Sequence, residues 1–350
     1  MAAVSQVPHF RHGSNSVDGP ASMVDHENPV FGNLVNNIIR PALYTPIGVH
    51  RYDPYENFEM VSRMAVSYDR GLYYRAAIES CNQEFGYDDY FWDLALRHIL
   101  PREYYVATVV NKFLSTKDLI HAMEEICSLD TREIQQIKGI YLSLFGRELE
   151  DDIETFTFGD DRKLLLKHIG VPHGIAGVGE KFMRLENTVR YLHEKVQETY
   201  KCPQLAIMDL VYELNEEDLR IVVDLYSTVY RKSLVEDLTR AGYGNFEHGF
   251  ITTIRCKLNR PEFFAEKLYK AIGAMRDPNI QGMIDADHHI DYKTIVRVIA
   301  RVAEEDMMRM KEEYRQKSGF TLEDDISEAF ADRQDCLHLI LRILNSNAPN

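Results

Sequence analysis

Apolar residues recur along this chain at helical spacing, and several distant stretches share one register. The pentapeptide Leu-Glu-Asp-Asp-Ile stands at 149–153 and again at 322–326, 173 positions on. At the same offset, Ile134, Ile137 and Tyr141 fall on Met307, Met310 and Tyr314, Glu133 falls on Asp306, and Gly146 falls on Gly319. A third copy lies 85 positions after the first: Asp218, Leu219, Val222, Tyr226, then Leu234 and the run Val235-Glu236-Asp237-Leu238. Residues at these spacings line one helical face, so each copy predicts a helix, a turn and a second helix. Repeats at such periods mark an array of units that bury their faces against one another.

The pattern divides the chain. Residues 1–30 are poor in aliphatics and read as a flexible tail. Four helical units then follow at 31–100, 101–170, 187–259 and 260–346, with a Gly-rich linker at 171–186. Helices are expected at 33–39, from Tyr55, and from Leu72 to Phe85. In the most regular unit, Glu103 to Phe113 forms a helix, and Ser115 or Thr116 is placed to cap the next. Asp130 or Thr131 caps a third, and Gly146 ends it in a left-handed conformation. Leu149 to Thr155 forms a short fourth, and Gly159-Asp160-Asp161 opens a fifth. No alternating run bounded by hairpin dipeptides appears, so the expected class is all-α. The sets Tyr141/Tyr226/Tyr314 and Ile153/Leu238/Ile326 are expected to be buried. The Glu-Asp-Asp runs read as first-turn charge favouring the helix dipole.

A formal net charge of −15 on 350 residues argues against nucleic acid and against unassisted adhesion to an anionic membrane. Any contact with phosphates then needs a bridging cation or a local basic patch. The five cysteines are widely spaced, with no Cys-x-x-Cys pair, which predicts free buried thiols and a reducing compartment. No basic-then-apolar leader, lipidation motif or apolar run of about 20 residues is present, so the expectation is a cytoplasmic protein peripheral to membranes or cytoskeleton.

These units resemble the annexin repeat from about Phe31 to Leu344. Residues 141–166, YLSLFGRELEDDIETFTFGDDRKLLL, and 264–271, FAEKLYKA, carry the likeness. The resemblance implies four repeats of about five helices in a slightly curved disc. It also implies calcium loops on the convex face that dock on anionic phospholipid. The family's loop is Gly-x-Gly-Thr plus a later carboxylate, and this chain departs from both parts. The loop positions read Asn111-Lys112-Phe113-Leu114 and Glu198-Thr199-Tyr200-Lys201, and the carboxylate positions hold Phe156, Ala241 and Ala329. Between Gly86 and Ile99 the first unit is shorter than its counterpart between Gly146 and Ile169. The pattern is similar to that of diverged protist annexins, the alpha-giardins among them.

One further cluster carries metal-binding chemistry. Asp285, Asp287, His288, His289 and Asp291 sit within seven residues of a long loop, enough oxygen and nitrogen donors to gather a divalent ion. Ile290 and Val296 stand where an EF-hand needs its glycine and glutamate, so it is no EF-hand. The alternative is a polar loop whose Asp291 caps the following helix. Gly174 to Phe182 lacks the Gly-Lys-Ser/Thr of a phosphate loop, and His193-Glu194 lacks the second histidine of a zinc protease. The function expected is therefore calcium-assisted binding to anionic phospholipid, with no enzyme activity. A calcium-independent cytoskeletal or scaffold protein on the same fold is the alternative.

Overall fold

The computed structural model describes residues 70–85, 90–170, 181–197, 204–241, 244–273 and 290–345. The expected tail, the helices at 33–39 and from Tyr55, and the stretch around Gly174 lie outside the described residues. Every regular element within them is a helix: α1 Arg70–Phe85, α2 Tyr90–Ile99, α3 Arg102–Ser115, α4 Leu119–Cys127, α5 Thr131–Phe145, α6 Leu149–Phe156, α7 Gly159–Gly170 and α8 Lys181–Val196. Then come α9 Gln204–Glu213, α10 Glu216–Tyr230, α11 Leu234–Ala241, α12 Gly244–Ile272, α13 Tyr292–Arg301, α14 Glu304–Ser318, α15 Leu322–Ala329 and α16 Gln334–Asn345. Among the described residues no helix is long and apolar enough to cross a membrane.

Local chemistry sets most boundaries. Asp130 caps α5 in a reciprocal box with Glu133, and Gly146 closes it at φ 68°. Gly319 closes α14 in the same way at φ 81°. Thr321 caps α15 and Asn215 caps α10. One expected cap is wrong: α3 runs through Ser115, and Asp118 caps α4 instead. The Ser115 and Thr116 hydroxyls instead bond back to the Lys112 carbonyl, at 3.0 Å and 2.8 Å, and the chain turns at left-handed Lys117 (φ 59°) before Asp118 opens α4. Long α12 is two helices joined at Asn259, whose φ of −159° and ψ of 87° precede Pro261.

The repeated register becomes a repeated buried contact. Tyr226 donates to Asp237 at 2.9 Å and Tyr314 donates to Asp325 at 2.7 Å, and Tyr141 does the same to Asp152. Ile153, Leu238 and Ile326 are buried beside these pairs, as are the three tyrosines. The Glu-Asp-Asp runs are therefore not capping charge throughout. Asp151 and Asp324 are exposed at helix starts, whereas Asp152 and Asp325 are buried acceptors.

A second set of contacts joins sequence-distant helices through charge. Arg301 and Arg297 of α13 meet Glu125 of α4 at 3.1 Å and 3.5 Å, and Arg297 also approaches Glu124 at 3.6 Å. Lys267 of α12 pairs with Glu124 as well, and His248 lies 3.3 Å from it. Nearby, Arg260 spans from Asp306 at 2.6 Å to Glu133, which Arg102 holds at 2.6 Å. At Gly249 the helices α12 and α4 touch closely: a Cβ there would lie 2.9 Å from Met123 Sδ and 3.2 Å from Cys127 Sγ. Cys81, Cys127, Cys256 and Cys336 are free thiols, and burial pushes Cys127 and Cys256 up to about 12.

These groups give an expected pH dependence. Burial lowers His98 from its ordinary 6.5 to about 4, so the unfolded chain takes a proton that the fold refuses. Burial alone would raise Glu133, but Arg102 and Arg260 outweigh it and hold the carboxyl at about 2. Both depressions mean stability present at neutral pH and lost on acidification, first between about 6.5 and 4 and then between about 4.5 and 2. Asp93, pushed up by burial, works against the trend. Urea midpoints should fall from pH 7.5 to 5, and His98→Gln should flatten that step. An unchanged step in the variant would assign it to other groups.

Candidate functional site

Hydrogen bonds fix which loops share a face. Asn111, about one turn before the end of α3, donates to Asp152, in the middle of the short α6, at 3.3 Å, so these two helices lie side by side. At the opposite end, His168 of α7 bonds the Leu129 carbonyl just past α4 at 3.1 Å. The α3–α4 loop and the α6–α7 loop therefore open on one end of the bundle. Arg102, starting α3, donates to the Arg301 carbonyl closing α13 at 2.6 Å, which brings the start of α13 to that same end. Tyr90 of α2 lies with its ring 6.0 Å from that of Tyr292, and Asn245 of α12 reaches Asp161 of α7 at 3.2 Å. One surface, here the loop face, thus gathers residues 116–118, 157–158, 290–292 and 330–333 with the starts of α2 and α12.

These are the places where the resemblance puts calcium, and the residues present do not fit it. Calcium needs about six to eight oxygens, several of them carboxylate or open carbonyl. Asn111-Lys112-Phe113-Leu114 forms no loop but the last turns of α3. The carbonyls of Lys112, Phe113 and Leu114 accept from Thr116, Asp118 and Lys117 at 3.0, 2.9 and 3.1 Å. Phe156 ends α6 without a carboxylate. The nearby carbonyls of Glu154 and Thr157 are taken by Arg162, at 2.7 Å and 2.9 Å. A guanidinium seated there adds repulsion toward a dication to the missing ligands.

The equivalent place near α15 is filled differently. Ala329 is buried and offers no carboxylate, and its carbonyl accepts from Tyr292 Oη at 3.2 Å. Phe330 packs edge-on against Tyr292 at 4.9 Å, and Arg333 lies 4.1 Å over the same ring while donating to Tyr90 Oη at 3.0 Å. An aromatic and guanidinium cluster thus covers the Ala329 carbonyl. Ala241 ends α11, and residues 198–201 lie outside the described residues. Among the described residues no group of three or more His, Cys, Asp or Glu could hold a metal.

Of the expected metal ligands, Asp285 and Asp287 lie outside the described residues, as do His288 and His289. Asp291 lies within them and caps α13, accepting from the Thr294 amide at 3.0 Å while its own amide donates to the Ala271 carbonyl at 2.9 Å. Sequence reasoning missed Arg162, Tyr292 and Arg333, because their targets are backbone carbonyls and aromatic faces that carry no residue signature. It also missed Ile120 and Phe158, 51% and 73% exposed on the loop face. Phe158 had a signal: an aromatic residue off any helical stripe, just before a glycine at a helix start.

No protein-family model matches the chain. In sequence it is 27% identical to annexin D5 of Arabidopsis thaliana over 199 residues, which is 57% of this chain and 58% of that one. The chain thus spans little more than half the length of that relative. In structure it aligns with chicken annexin V in complex with zinc at a TM-score of 0.66, with 19% identity, 91% of this chain and 95% of that chain covered. It aligns with calcium-bound alpha-14 giardin at a TM-score of 0.57, with 13% identity, 90% of this chain and 99% of that one covered.

Proposed function

Because the chain is a divergent member of the annexin superfamily, we propose that it is a peripheral protein of anionic phospholipid surfaces that docks by its loop face. The annexin likeness supports calcium and phospholipid binding at the level of the family. In this chain the two junctions between loop and helix end, at Phe156 and at Ala329, offer calcium no carboxylate and no open carbonyl from Glu154, Thr157 or Ala329. Weak calcium assistance comes instead through Asp285, Asp287 and Asp291. The protein is a binding protein rather than an enzyme, and it works in the cytoplasm at membranes.

The observation that carries this form of the reading is the filled junctions: Arg162 on the Glu154 and Thr157 carbonyls, and Tyr292 on the Ala329 carbonyl. Calorimetric titration of the full chain with calcium should then find no micromolar site, only weak binding at about 0.1–1 mM, the range of low-affinity modules. The triple variant Asp285→Asn, Asp287→Asn, Asp291→Asn keeps side-chain shape and removes charge. It should abolish the calcium-dependent part of vesicle binding while leaving helicity unchanged. Several micromolar sites, or a triple variant that responds to calcium as before, would defeat the assignment.

A further inference from the structure

Among the described residues seven large apolar side chains are exposed, and Phe158 is the most exposed of them at 73%. Its loop is not slack. Thr157 beneath it is buried and bonds the Ile153 carbonyl at 2.5 Å, and Arg162 reaches back over the turn to the Glu154 and Thr157 carbonyls that precede Phe158. Gly159, at φ 60°, then turns the chain down into α7. These bonds fix the backbone on which Phe158 stands, and its ring is left exposed to water at an apolar cost. Ile120 stands on the neighbouring loop of the same face, 51% exposed in the first turn of α4. It is fixed by the Asp118 cap and by His121, whose ring stacks on Phe113 at 5.1 Å.

The surroundings argue for what these side chains meet. They are two projections set among polar residues, not one contiguous patch of the kind a stable protein interface needs, about 1,000 Å². Exposed Lys117 and Lys163 flank them beside exposed Glu154 and Asp160, with Lys163 paired to Asp160 at 3.0 Å and Asp118 paired to His121 at 2.6 Å, which leaves Lys117 as the cation next to the apices. Apolar apices with a lysine beside them match the boundary between anionic headgroups and acyl chains. We propose that Phe158 and Ile120 insert into that boundary and anchor the protein to anionic bilayers without calcium, with Lys117 placed for the lipid phosphates. This rests on the reading of the loop face as the membrane face. It adds the groups that do the anchoring at a junction that offers calcium no ligands.

The test uses the full chain with phosphatidylserine/phosphatidylcholine vesicles in chelator, comparing wild type, the double variant Ile120→Ser/Phe158→Ser and Met308→Ser. Met308 is 66% exposed but sits at the other end of the bundle, near the contact between Arg260 and Asp306, and so controls for loss of any surface apolar group. Two apolar side chains withdrawn from a lipid boundary should weaken partitioning by about tenfold or more, with Met308→Ser unchanged and urea midpoints matched. Independently, the emission of Phe158→Trp should shift to the blue on adding vesicles, above the constant background of buried Trp92. A double variant that partitions like wild type, or a tryptophan that stays in water, would overturn the proposal while leaving the membrane reading standing. Wild type that sediments with no vesicle in either calcium or chelator would bring down both.

Discussion

Glu125→Ala should destabilise the fold by about 3–5 kcal/mol, the usual consequence of removing one partner from a buried ion pair. Arg301 is 2% exposed, and Glu125 is the carboxylate at 3.1 Å from its Nε. That guanidinium also bonds the Ser128 hydroxyl and the Glu125 carbonyl and lies 5.0 Å over the face of Phe264, with Glu133 the further carboxylate that feels its charge. Arg297 would lose its 3.5 Å neighbour at the same time. The variant therefore strands positive charge between α4 and α13, with Glu124, 3.6 Å from Arg297, the carboxylate of α4 that remains beside it. Urea unfolding followed by circular dichroism reads the effect. Replacing Glu125 and Arg301 together by apolar residues of similar volume should cost much less than the single change. A single variant as stable as wild type would mean that water reaches these groups and that the cluster is not a buried one.

The second large effect belongs to the repeat itself. Ile153→Ala and Ile326→Ala should each cost about 2–5 kcal/mol, the lost transfer energy plus the cavity that remains. Asp152→Ala leaves the Tyr141 hydroxyl without its acceptor and frees Arg147, bonded to the same carboxylate at 2.7 Å. It should cost about 1–3 kcal/mol. Asp151→Asn and Asp324→Asn, on the exposed side of the same turns, should stay within about 0.5 kcal/mol. The contrast between adjacent positions 151 and 152 distinguishes a packed polar contact from first-turn charge. Equal losses at both would show that the acidic runs act through the helix dipole alone.

Much of the architecture was legible because periodicity is a local property. Tyr141, Tyr226 and Tyr314 share a register with Ile153, Leu238 and Ile326, and a helix with that register has only one face to bury. The caps at Asp130 and the stop at Gly146 follow from residue type alone. What escaped was pairing across turns. Asp152 meets Tyr141 only because the α5–α6 turn brings them together, and sequence shows merely two aspartates in a row. The Asp118 cap was hidden by Ser115 and Thr116, better-looking candidates whose hydroxyls bond back to the Lys112 carbonyl instead. One tertiary contact was open to inference: Glu124 and Arg297 occupy the same repeat position, 173 residues apart, with opposite charge. The losses at Phe156 and Ala329 were visible as missing carboxylates. That Arg162 and Tyr292 fill the carbonyls was not.

The central claim is that the loop face holds anionic lipid with little call on calcium. Co-sedimentation of the full chain with phosphatidylserine vesicles, in chelator and in millimolar calcium, tests it most directly. The expected result is binding in chelator that rises modestly with calcium and is absent on neutral phosphatidylcholine vesicles. Binding that appears only with calcium at micromolar levels, or no binding under either condition, would contradict it.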